Sequence, residues 1–264
     1  MTTQNRRPVL RCALSNAAHP EYGQVTVPFP IPAQEYERTL ELLAAMELGN
    51  PLERDCRLDE LESGFPILKR LEKVGINLDE LDYLARRLDS FDSYEAAQFQ
   101  AMAVRLGTFD MTDFINLTFC CQQATVITDF SDLEAVGRRH VLTASGGHMP
   151  VDELAQVDGR KEALKLILNG QGAVTPYGVA YDNGKELEQL YREGGPFPEY
   201  VDRQYSMLLE ASAGEGQSTL LLLPDSQARL ERLLGRAGIQ YSSQVRFRVV
   251  DNTLPGAVFN SIPV

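Results

Sequence analysis

Apolar and polar residues alternate loosely over Val9–Ser15 and again over Gln24–Phe29, with the turn-rich Asn16–Gly23 between them. That pattern predicts a β-hairpin, stopped by Pro30-Ile-Pro32. From Ala33, the residues Tyr36, Leu40, Leu43 and Ala44 recur at helical spacing, and Gly49 closes the run. A third strand is expected over Arg54–Leu58. The C-terminus repeats this order: strand Ser206–Ala211, turn Gly214-Glu-Gly216, strand Ser218–Leu223, then a helix opened by Pro224-Asp225. That helix carries Leu230, Leu233 and Leu234, closes at Gly235 or Gly238, and is followed by a strand over Gln244–Val250. Two ββαβ-like units, one at each end of the chain, point to an internal duplication.

The middle is mostly helical. Asn77-Leu-Asp-Glu80 has a side-chain acceptor followed three residues later by a carboxylate, a helix-opening pattern. Leu78, Leu81, Leu84, Ala85 and Leu88 then form one apolar stripe. Ser93 is expected to cap the next helix, with Ala96, Phe99, Met102, Ala103 and Leu106 inside it. Asp110 caps a short third helix through Ile115, and Ser131-Asp-Leu-Glu134 opens another through about Leu142, after a short strand over Gln123–Thr128. Residues 172–183 read as an extended pair and Glu186–Tyr191 as a brief helix. The fold class is α+β, an elongated array of two or three small domains with a helical acidic middle, divided at residues 1–75, 76–202 and 203–264.

Composition narrows the function classes. The 264 residues are 44% hydrophobic, enough to bury a core, and carry 37 Asp plus Glu against 25 Lys plus Arg, a net charge of -12. A basic nucleic-acid groove is excluded as the main business of the chain. No apolar run is long enough for a membrane span, and Met1–Pro8 lacks the apolar segment of a secretory signal. Cys12, Cys56, Cys120 and Cys121 have no metal-ligand spacing, so a reducing, cytoplasmic setting is expected and no metal. Gly214-Glu-Gly-Gln-Ser-Thr219 lacks the lysine of a phosphate loop. Gly146-Gly147 reads as a helix stop, and His140 beside Arg138 and Arg139 as a cation at a helix end. No catalytic residue and no cofactor are expected.

The acidity is uneven. Residues 33–115 hold 18 acidic and nine basic side chains, while both ends of the chain are slightly positive. With leucines occupying the inner stripe, Asp79, Glu80, Asp82, Asp89, Asp92 and Glu95 are expected on the opposite, solvated surface. Asp110, Asp113, Asp129, Asp132 and Glu134 continue the series. Carboxylates on successive helix turns fall ~5.4 Å apart, and B-form DNA presents one charge per ~1.7 Å of axis. Rows of such side chains can imitate a phosphate backbone. The plainer reading is that acidic helix faces keep a protein soluble.

The order of these features resembles the ArdA-type antirestriction proteins of conjugative transposons and other mobile genetic elements. The resemblance covers about residues 9–145: Ala13-Leu-Ser-Asn16 to Tyr22-Gly23, then the proline-led helix, then Ile76-Asn-Leu-Asp-Glu-Leu-Asp-Tyr-Leu84, then Ile127-Thr-Asp-Phe-Ser-Asp-Leu-Glu-Ala-Val-Gly-Arg138. It implies an elongated, often dimeric DNA mimic that occupies the DNA-binding groove of a type I restriction–modification enzyme, without binding nucleic acid or membrane itself. The matching acidic positions are Asp79, Glu80, Asp82, Asp129, Asp132 and Glu134. This chain departs from the family in its C-terminal ββαβ-like unit and in Arg86, Arg87, Arg138 and Arg139 within the matching helices. The alternative expectation is a non-catalytic interaction module of a mobile element, holding a partner by exposed sheet edges.

Overall fold

The computed structural model describes residues 8–184, 188–201, 203–214, 217–239 and 245–253. In chain order the elements are β1 (Leu10–Asn16), β2 (Gln24–Phe29), α1 (Tyr36–Ala44), β3 (Cys56–Ser63), β4 (Gly75–Ile76), α2 (Leu78–Asp89), α3 (Ser93–Leu106), α4 (Met111–Leu117) and β5 (Thr125–Ile127). They continue with α5 (Leu133–Ala144), α6 (Val151–Gln156), α7 (Gly159–Asn169), β6 (Ala173–Thr175), β7 (Gly178–Tyr181), β8 (Met207–Ser212), β9 (Ser218–Leu223), α8 (Gln227–Arg236) and β10 (Arg246–Asn252). The class is α+β, and none of the described helices is long and apolar enough to cross a membrane.

The duplication expected from the two ends is visible in the sheets. The N-terminal sheet has the order β2-β1-β3-β4 and the C-terminal sheet the order β10-β8-β9. In each, the first strand is central and antiparallel to both the second and the third, and a helix follows the second strand. The pairing of first with third strand shifts register once in both, at Ala13/Leu14 and at Val249/Asp251. Leu10, Cys12 and Leu14 of β1 are buried by alternation, and Leu209, Ala211 and Leu221 of β8 and β9 form a core with Leu234, Ala237, Ile239 and Val245.

The expected domain boundaries are not those of the structure. Of the described residues, those within 1–64, 71–90 and 190–264 make one unit and those within 65–70 and 91–189 the other. Both terminal repeats and α2 therefore belong together. The reason is electrostatic as well as apolar: α2 carries carboxylates that α8 meets with arginines. The second unit is centred on Phe99, whose ring meets those of Phe65, Phe91 and Phe114 at 5.9–6.1 Å. Beside it stands the small sheet β5-β7-β6. Here α5 meets α7 at Gly137, where a Cβ would lie 1.7 Å from the Gly159 carbonyl oxygen, so backbones approach as only glycine allows.

Several local expectations shift. The caps are Asp92 and Asp132, not Ser93 and Ser131, because the carboxylates one residue away reach the N–H groups of Glu95 and Ala135. The third strand begins at Cys56 because Asn50 and Asp55 tie residues 50–55 into a turn, accepting from the N–H groups of Leu52 and Asn50. Helices α6 and α7 carry no strong sequence signal and were not expected. The helix proposed over Glu186–Tyr191 lies partly outside the described residues, and residues 188–191 form none. His140 does not end a helix: it sits inside α5, its Nδ1 2.8 Å from the Thr125 hydroxyl.

Candidate functional site

The acidic start of α2 is where sequence reasoning and structure part most sharply. Asn77 caps the helix as expected, accepting from the N–H groups of Asp79 and Glu80 at 3.0 and 3.2 Å. Leu78, Leu81, Leu84, Ala85 and Leu88 are buried. The opposite face is buried too: Asp79, Glu80 and Asp82 are 8%, 1% and 7% exposed. They do not project into solvent. On α8, Arg229, Arg232 and Arg236 stand three and four residues apart, hence on one face, and each meets one of the carboxylates.

Arg232 Nε donates to both oxygens of Asp79, at 2.9 and 3.1 Å. Arg236 lies 3.6 Å from Glu80 and donates to Asn77 and to the Pro51 carbonyl, while the Tyr191 hydroxyl donates to Glu80 at 2.6 Å. Asp82 accepts from the Ile31 N–H at 2.7 Å and from Arg86 at 2.9 Å, with Arg229 at 3.5 Å. Burial pushes the Asp79 carboxyl up, against the pull of Arg232. The correction has a simple cause. Helical periodicity identifies one buried face, and nothing local reveals a second face neutralised by arginines some 150 positions along the chain.

The other expected carboxylates are not buried, and most are engaged locally. Asp92 and Glu95 form a reciprocal capping box: Asp92 accepts from the Tyr94 and Glu95 N–H groups, and Glu95 accepts from the Asp92 N–H at 3.0 Å. Asp110 accepts from the Asp113 N–H at 2.8 Å, and Asp132 from the Ala135 N–H at 3.0 Å. Partial burial and the neighbouring Asp110 raise the Asp113 carboxyl, whereas the Ser131 N–H and hydroxyl lower that of Asp129. Glu134 pairs with Arg138 at 2.9 Å and accepts from the N–H groups of Gly159 and Arg160. Asp92, Asp110, Asp129 and Asp132 are exposed; Asp89, Glu95, Asp113 and Glu134 are half-buried.

Sequence reasoning missed a second exposed acidic set, on the N-terminal repeat. Glu35, Glu37, Glu41, Glu47, Glu60 and Glu62 are all exposed. The signal was present: Tyr36 and Leu43 fix the buried face of α1, so Glu37 and Glu41, one turn apart, fall outside it.

The first unit also holds a cavity of about 280 Å³ bordered by α2, α8, residues 196–201 and the strands β8 and β9. Tyr83 and Phe197 stack on its wall with ring centroids 4.4 Å apart. Among the described residues no group of three or more His, Cys, Asp or Glu is arranged to hold a metal ion. The four cysteines are free and buried, and burial pushes the Cys12 thiol up to about 12, far from a reactive thiolate. No protein-family model and no curated protein matches this chain.

Proposed function

We propose that this chain is a cytoplasmic, non-enzymatic antirestriction protein that competes with DNA for the binding groove of a type I restriction–modification enzyme. The observation that carries this reading is where the charge resides. The three carboxylates inside the first unit are opposed by three α8 arginines, so they leave the whole excess of -12 to the remaining, more accessible side chains. That excess includes Glu35, Glu37 and Glu41 on one unit and Asp92, Asp110, Asp129 and Asp132 on the other. A field of this sign steers toward a basic groove and needs no base readout. The resemblance over residues 9–145 names the class of target.

The contact surface follows from exposure. Asp79, Glu80 and Asp82 are withdrawn from it, and Asp129 and Asp132 keep their place. Replacing Asp92, Asp110, Asp129 and Asp132 by Asn preserves the caps, since Asn caps as well as Asp, and removes four charges. The expected result is intact folding with weaker competition against DNA for a purified type I enzyme, and competition by the unaltered protein that falls steeply as salt rises. Salt-independent competition, or none, overturns the reading.

A further inference from the structure

The cavity of the first unit is unused by the function proposed above. It stands at the lower edge of the ~300–1,000 Å³ span of small-molecule pockets, large enough for one ring system and a short substituent. We propose that it binds an uncharged aromatic molecule.

The apolar part of the wall gives the body of the ligand. Tyr83, stacked on Phe197, and Tyr200, beneath the Arg87 guanidinium, supply rings. Leu220 and Leu222 of β9 supply aliphatic surface. They alternate with Leu221, which belongs to the C-terminal core, so their side chains leave the opposite face of the sheet. Ser218 shares that face and brings a hydroxyl, an uncharged hydrogen-bonding group. Two further apolar residues of the wall, Leu190 and Val201, are 52% and 49% exposed. Apolar surface thus meets water at a concave site, and a ligand that covers it gains by drying it. Aromatic groups meet rings at offset or edge-to-face geometry, so a planar apolar body suits this wall.

The charged part of the wall decides the ligand's charge. Arg86, Arg203, Arg229, Arg232 and Arg236 each have a carboxylate oxygen within 3.6 Å. Asp79, Asp82 and Asp225 are the wall's own partners in those pairs, and Glu210 pairs with Arg248 at 2.6 Å. The guanidinium nitrogens of Arg232 and Arg236 that make no hydrogen bond are sealed from solvent, so they reach no ligand. Glu199 is left over, but it is exposed, and water weakens its pull on a cation. An ion entering the cavity would surrender hydration without meeting a buried opposite charge in return. An uncharged ring system has little hydration to lose.

Calorimetric titration of the full chain with 2-naphthalenemethanol, 2-naphthoate and 2-naphthylmethylammonium compares one ring system bearing no charge, a negative charge and a positive one. The alcohol is expected to bind about tenfold more tightly than either ion. Leu220→Trp and Leu222→Trp each fill the cavity from the sheet side and are expected to abolish that binding while far-ultraviolet circular dichroism stays unchanged. Val201→Asn changes an exposed position, outside any core, and is expected to weaken binding about threefold. Equal or tighter binding of either ion overturns the uncharged class. No heat from any of the three at about 1 mM, or binding of the alcohol indifferent to both tryptophans and to Val201→Asn, overturns the site.

Discussion

Asp79 and Asp92 lie 13 residues apart, each in the acidic opening of an amphipathic helix, and they meet opposite fates. In α3 the pattern resolves locally: Asp92 and Glu95 satisfy each other's backbone N–H groups and their charges face water. In α2 only Asn77 caps, and Asp79 and Glu80 turn away to Arg232, Arg236 and Tyr191. The start of a helix is thus a local property, whereas the wetness of its polar face is decided by what another part of the chain brings to it. Two helices of similar grammar end as a solvated surface and as a charged interior.

The largest effect that tests this contrast comes from breaking the interior. Arg236→Met leaves Glu80 buried without its cation, and such a loss costs about 3–5 kcal/mol. Urea unfolding measures it. Replacing Glu80 by Met in the same chain should recover most of that loss, because apolar substitutes of similar volume match a buried pair. If the single variant loses under ~1 kcal/mol, α2 is a solvated helix after all.

The surface helix sets the next scale. Asp92→Ala removes a cap and is expected to cost ~1 kcal/mol, while Asp92→Asn costs only tenths. The ratio between the two helices, rather than either value, sharpens the comparison. Equal losses in Arg236→Met and Asp92→Ala would remove the distinction between them.

How much of this was readable beforehand follows the same divide. The hairpin over β1 and β2, the pair β6 and β7, and the C-terminal β8-β9-α8-β10 run were legible, since period-2 alternation and turn residues act over a few positions. Even the duplication was legible, because it repeats an order of local signals. Helix α7 was not, as Gly159 opens it and Leu164 and Leu168 lie exposed, blurring the stripe. The acidic site was legible only where each carboxylate works on its own helix, as Asp92, Asp110 and Asp132 do. The pairing of α2 with α8 depends on chain geometry that no local pattern encodes.

A partly buried titratable group can also be accommodated by losing its charge, and His140 makes that third case. Its Nδ1 meets the Thr125 hydroxyl, which accepts from Asn183 and so has its own proton to give. Partial burial holds the imidazole below its ordinary value near 6.5, although Glu162 pulls the other way. A lowered folded value means that the unfolded chain takes up the proton first as pH falls. The contribution is therefore complete above about 6.5 and is lost as pH drops through the lowered folded value. His140→Asn keeps an acceptor near the same position and cannot titrate. Between about pH 7.5 and pH 5.5 the unaltered protein should lose slightly more stability to urea than this variant. Being half-buried, His140 should give the smallest of these effects, and identical pH slopes would show that its imidazole titrates alike in the folded and unfolded chain, so that burial does not favour its neutral form.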